Sequence, residues 1–158
     1  MGGDNIMSKR ILIVGGVAGG ASVAARVRRI DEWAEIIMFE KGPDVSFSNC
    51  SLPFYLSGIV ENSEDLVLMR PEKFKKQYNI EARVNSEVIQ INREDKKILV
   101  RSLITGEEYQ EFYDKLVLSP GANPIRPKSI EGVNASHVFT VRNVVDIRNL
   151  NEYIQNNN

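Results

Sequence analysis

Apolar residues in this chain fall into short blocks whose spacing alternates between strand-like and helix-like. Ile11-Leu-Ile-Val14 is a continuous apolar run closed by glycines, which predicts a buried parallel strand. Residues 19–31 follow as a predicted helix, with Gly20, Val23, Val27 and Ile30 at helical spacing on a sheet-facing side. Ile36-Ile-Met-Phe39 predicts a second strand, so a βαβ unit fills the first part of the chain.

Beyond Glu40 the pattern turns polar. Pro53 suits the first turn of a helix that has Cys50 or Ser51 near its cap and stops at Gly58. Pro71 opens a second predicted helix that ends at Tyr78. The runs 87–92 and 97–102, separated by Arg-Glu-Asp, predict a hairpin, and 107–112 adds a strand after Thr105-Gly106. Leu116-Val-Leu118 predicts a third strand for the main sheet and ends in Ser119-Pro120-Gly121. Pro124 and Pro127 mark a linker, 143–154 a final helix, and 155–158 a frayed end. The fold class is α/β: a Rossmann-like parallel sheet with an inserted β-hairpin or meander layer. Residues 1–9 read as an N-terminal extension, with Met7 an alternative start. Residues 10–124 read as a partial dinucleotide-binding domain, and 125–158 as a linker and helix.

Composition narrows the function. The chain has 158 residues, 42% of them apolar and 26% charged, which fits one soluble domain. A net charge of -1 gives no global reason to expect nucleic-acid or membrane binding. No apolar run reaches the roughly 18 residues of a membrane span. The polar start resembles neither a signal nor a transit peptide. One Cys and one His are too few soft ligands for a metal site. A free cysteine without a signal points to a reducing, cytoplasmic setting.

Gly15-Gly16-Val17-Ala18-Gly19-Gly20 lies between a predicted strand and a predicted helix. A glycine turn there lets backbone N–H groups and the helix N-terminus approach a pyrophosphate. Val17 departs from the usual middle glycine, while Gly15 and Gly20 hold the first and third positions. Glu40 ends the second strand at the spacing of a ribose-binding carboxylate and favours an unphosphorylated adenosine ribose.

Cys50 has no partner within its own chain, so redox chemistry there needs an external thiol or oxygen. Its neighbours Ser48, Asn49 and Ser51 are potential donors to a thiolate, and Pro53 helps start a helix beside it. Ser22, Arg26 and Arg29 share one helix face separate from the core face. Spacing alone fits a solvated surface; a phosphorylated ligand is the alternative.

The loop, Glu40-Lys41, Ser46-Phe-Ser-Asn-Cys-Ser-Leu-Pro53 and Tyr113-Asp-Lys-Leu-Val-Leu-Ser-Pro-Gly-Ala122 occur in this order. Together they resemble the N-terminal part of coenzyme A-disulfide reductases, the single-cysteine branch of the FAD-dependent pyridine nucleotide-disulfide oxidoreductases. The resemblance spans about residues 8–150. It implies FAD along residues 15–20, with Glu40 on the adenosine ribose. Further flavin contacts would be Lys41, Cys50, Val88, Ser119, Pro120, Gly121 and Arg142. Cys50 would be the catalytic thiol, lying against the flavin ring and cycling through a mixed disulfide with coenzyme A. Ser22, Arg26, Arg29, Ser46 and Asn49 match positions that contact coenzyme A in this family.

Relatives that act as NADH oxidases or peroxidases commonly carry a His near the position of Ala18, which weighs against that branch. Polysulfide or coenzyme A-persulfide reductases share the motifs and stay open as alternatives. The family's full fold adds an NAD(P)H domain, the rest of the flavin domain and a dimerisation domain. The resemblance therefore implies an incomplete fold, inactive alone, belonging to a full-length homodimer. Two other readings stand beside it: a non-catalytic redox-sensing module, and a Rossmann-like domain binding NAD directly.

Overall fold

The structure is a computed structural model that describes residues 8–157. The proposed alternative start at Met7 lies outside the described residues, as does most of the extension. The chain divides into two compact units, Met1–Ser46 with Met69–Pro120, and Phe47–Leu68 with Gly121–Asn158.

The first unit is built on a parallel sheet of β1 (Arg10–Val14), β2 (Glu35–Phe39), β3 (Ile80–Arg83) and β7 (Lys115–Leu118). Its order is β3-β2-β1-β7. Ile11 pairs with Ile36, and Leu12 with both Ile37 and Leu116. Because side chains alternate, this register sorts one apolar run onto two faces. Ile11, Ile13, Ile36, Met38 and Ile80 pack with Ala24 of α1 (Ala18–Ile30) and Phe74 of α3 (Pro71–Tyr78). Leu12, Ile37 and Phe39 pack on the other side with Ile98 and Val100. Those two belong to an antiparallel meander of β4 (Ser86–Asn92), β5 (Lys97–Ser102) and β6 (Glu108–Phe112). Cover on both faces is why β1 and β2 read as unbroken apolar runs.

Two expectations need correction here. Ile80–Arg83 is a fourth strand of the main sheet that the pattern did not announce. Ile30, expected on the core face of α1, is 67% exposed. It sits at the very end of the helix, where Asp31 closes the last turn through its N–H to the Val27 carbonyl, and the buried contacts are made earlier, by Gly20 and Ala24.

An ion network ties the two layers of this unit together. Glu111 on β6 accepts from Arg10 on β1 at 2.6 Å and also pairs with Arg83 on β3. Arg83 bonds Glu81 at 2.6 Å and stands over the rings of Phe39 and Tyr109. Burial alone would raise the Glu111 pKa, but hydrogen bonds and charge from both arginines hold it below the ordinary carboxylate value.

The second unit packs α2 (Leu52–Leu56) and α4 (Val144–Asn156) around Leu52, Leu66, Val144 and Ile147. Asn143 caps α4 by accepting from the Asp146 N–H at 2.9 Å. Residues 155 and 156, expected to fray, continue the helix. Arg148 bonds Ser63 Oγ at 2.9 Å and Glu64 at 2.7 Å, fixing α4 to the turn Ser63–Leu66.

Candidate functional site

The glycine loop of the first unit is shaped by close backbone approach. Gly15 has φ +94°, and a Cβ there would lie 2.0 Å from the carbonyl oxygen of Ser119, just past β7. A Cβ on Gly20 would lie 1.7 Å from the Gly15 carbonyl oxygen. Both positions therefore exclude any side chain, one for the turn and one for helix–strand packing. The loop opens into α1 at Ala18. Val17 occupies the cap position without a side-chain bond, and no acid stands in the first turn. Ala18 and Gly19 are exposed, so the positive end of this helix faces outward.

Glu40 braces this loop. Its carboxylate accepts the Gly16 N–H and the Gly42 N–H, each at 2.8 Å. A carboxylate has further lone pairs and can accept ribose hydroxyls while holding both amides. Ser46 is bound to the same loop, donating its N–H to the Gly16 carbonyl at 2.9 Å, with φ +50°. Lys41 is exposed beside this loop, and Ser119 donates its N–H to the Val14 carbonyl at 2.8 Å. Pro120 follows, exposed. Val88 stands apart, its side chain packed in the cluster between sheet and meander. Ser22, Arg26 and Arg29 are all exposed along α1, as their spacing predicts.

Sequence reasoning missed two parts of the cradle. The Gly42 amide closes on Glu40, and the buried Val45 side chain fills the space beside Gly16. The signal available was a glycine two residues after the acid, which allows the chain to fold back on that carboxylate.

In the second unit Cys50 is exposed on a 3₁₀ turn, Asn49–Ser51, that runs into α2. Pro53 occupies the first turn of α2 as expected. Phe47 bridges Val67, and Ser48 donates its N–H to the Leu66 carbonyl at 2.8 Å, fixing the segment before the turn. Ser48 Oγ lies 3.5 Å from Cys50 Sγ and 2.7 Å from Ser51 Oγ. Gly121, with φ +71°, and Arg142 are brought together, Arg142 Nε donating to the Ala122 carbonyl at 3.0 Å.

A parallel βαβ sheet with this glycine loop and terminal acid defines a dinucleotide-binding α/β protein. The chain belongs to the pyridine nucleotide-disulphide oxidoreductase family, whose pattern matches residues 9–157. It is 40% identical over 147 residues to a coenzyme A disulfide reductase of Staphylococcus epidermidis, covering 93% of this chain and 33% of that protein. Among solved structures, reduced CoADR-RHD of Bacillus anthracis superposes with a TM-score of 0.90 at 48% identity, over 96% of this chain and 27% of that one. An NAD-dependent persulfide reductase from A. fulgidus superposes with a TM-score of 0.87 at 32% identity, over 94% and 27%. The chain thus spans about a third of the length of the curated relatives it matches.

Proposed function

We propose that this chain is the FAD- and coenzyme A-binding part of an NAD(P)H-dependent coenzyme A-disulfide reductase, with Cys50 as its redox thiol. The observation that carries this reading is the exposed Cys50, the sole cysteine, on a turn with a hydroxyl 3.5 Å from its sulfur.

The loop is compatible with FAD: glycines at 15 and 20 let the turn close against the Ser119 and Gly15 carbonyls, and α1 opens outward at the exposed Ala18 and Gly19. Gly15 to Gly20 would hold the pyrophosphate, Glu40 the adenosine ribose, and Lys41, Val88, Ser119, Pro120, Gly121 and Arg142 further parts of the cofactor. Bound flavin would supply two-electron transfer between a nicotinamide and sulfur. Ser22, Arg26, Arg29, Ser46 and Asn49 would bind coenzyme A, the arginines taking its phosphates by charge-assisted bonds. Cys50 thiolate attacks one sulfur of the disulfide: Cys50–S⁻ plus CoA–S–S–CoA gives Cys50–S–S–CoA plus CoA–S⁻.

The test compares CoA disulfide with a small disulfide lacking phosphates. The reading expects faster release of thiol from CoA disulfide and none from C50S. Equal rates for the two disulfides would contradict it. The likeness to a persulfide reductase supports a second reading, in which the sulfur attacked is the outer sulfur of coenzyme A persulfide. A faster reaction with the persulfide than with the disulfide would favour it.

A further inference from the structure

We infer that Asn85 is a positioning residue for Glu40, its left-handed backbone setting where the Glu40 carboxylate stands, an inference that deepens the proposed function and rests on Glu40 as the ribose acceptor. Asn85 lies in the first unit, between β3 and β4, with φ +50°. Three backbone bonds run between this link and the acid. The Glu40 N–H donates to the Arg83 carbonyl at 2.9 Å, and the Ser86 N–H donates to the Glu40 carbonyl at 2.9 Å. The Asn85 N–H donates to the Gly42 carbonyl at 3.0 Å. The Glu40 carboxylate in turn holds the Gly16 and Gly42 amides.

In an extended chain, successive N–H groups point to opposite sides. Those of Asn85 and Ser86 instead serve one turn, Glu40 to Gly42, so the backbone must reverse between them. The positive φ of Asn85 makes that reversal. Glycine adopts such an angle freely, asparagine at small cost, and a β-branched residue at large cost. Among the described residues the Asn85 side chain has no hydrogen-bond partner, so its contribution is the backbone angle. The surroundings hold that angle in place. The Asn85 carbonyl accepts the Leu103 N–H at 2.7 Å, and the buried Ser86 donates its hydroxyl to the Val84 carbonyl at 3.0 Å. Moving φ out of this region withdraws the amide from Gly42. The turn then loosens, and the carboxylate loses its fixed place against Gly16.

The test pairs two readings on the same samples: the amide proton resonance of Gly16 by NMR, and FAD affinity by quenching of flavin fluorescence. An amide bonded to a carboxylate resonates downfield. Asn85→Val is expected to move the Gly16 resonance upfield, and Asn85→Gly, which keeps the angle, leaves it in place. Mere destabilisation would lower a urea midpoint without moving a folded-state resonance. Asn85→Val also weakens FAD up to about tenfold, the loss expected on removing Glu40, while Asn85→Gly stays within about twofold. In a Glu40→Ala background Asn85→Val adds no further loss, because both act through one carboxylate. Asn85→Ala, a milder change, carries the same comparison if Asn85→Val fails to fold. A Gly16 resonance unmoved by Asn85→Val and Asn85→Ala, one moved as far by Asn85→Gly, or a full further loss in the Glu40→Ala background would each overturn the inference. No FAD binding by the unmodified chain, with Gly16 shifts in the expected order, would sink the FAD reading and leave the role of Asn85 standing.

Discussion

A single methyl group at Gly20 would sit 1.7 Å from the carbonyl oxygen of Gly15, well inside van der Waals contact. The loop can relieve that clash only by separating α1 from β1. Gly20→Ala is therefore expected to cost about 3 kcal/mol or more, read as a lowered urea midpoint. A midpoint within error of the unmodified chain would show that the loop yields freely. Glu40→Ala removes the acceptor of two amides and should weaken FAD about tenfold or more, measured by quenching of flavin fluorescence. On the helix face, Arg26→Ala with Arg29→Ala should weaken coenzyme A about tenfold by calorimetry, with no change in unfolding midpoint because both side chains are exposed. At this scale the sequence was readable where chemistry demands a residue type. Gly15, Gly20, Glu40 and the exposure of Ser22, Arg26 and Arg29 all follow from spacing. The Gly42 amide was marked only indirectly, by the glycine two residues after the acid, because the backbone donor itself leaves no mark in residue identity.

Among the elements, the meander and the parallel sheet are joined by more than apolar contact. Glu111 has a side chain only 13% exposed and two arginine partners. Glu111→Gln removes the charge from both and should cost about 2–4 kcal/mol in urea unfolding at pH 7. The pH dependence has a definite sign. The folded-state pKa of Glu111 lies below its ordinary value of 4.5, so the stabilisation is full above that value. It is lost as pH falls below 4.5 through the folded value. Unfolding midpoints should therefore drop in that window for the native chain and drop less for Glu111→Gln; parallel curves would contradict the assignment. This network also explains why β3 was hidden. Ile80 and Ala82 point to the helix side, while Glu81 and Arg83 are held by ion pairing, so the strand offers only two apolar positions. The pattern of β1 and β2 was plain because both of their faces are covered. Ile30 misled for the opposite reason: helical periodicity continues to the end of α1 although its burial does not.

For the molecule as a whole, the hydrophobic pattern announced most elements but not their division into units. The chain leaves the first unit after Ser46, returns at Met69 and leaves again after Pro120. Periodicity is local and carries no record of such crossings, so the predicted boundary near residue 124 followed prolines instead. The glycine loop and its acid belong to the first unit, and the thiol turn to the second. Family membership extends across both, since the match runs from residue 9 to residue 157. The proposed chemistry converges on one sulfur, and the most direct measurement is the intact mass of the chain after incubation with CoA disulfide. The account predicts one coenzyme A joined at Cys50, removed by dithiothreitol and absent from Cys50→Ser. An unmodified mass, or Cys50 carrying only oxygen, would contradict it.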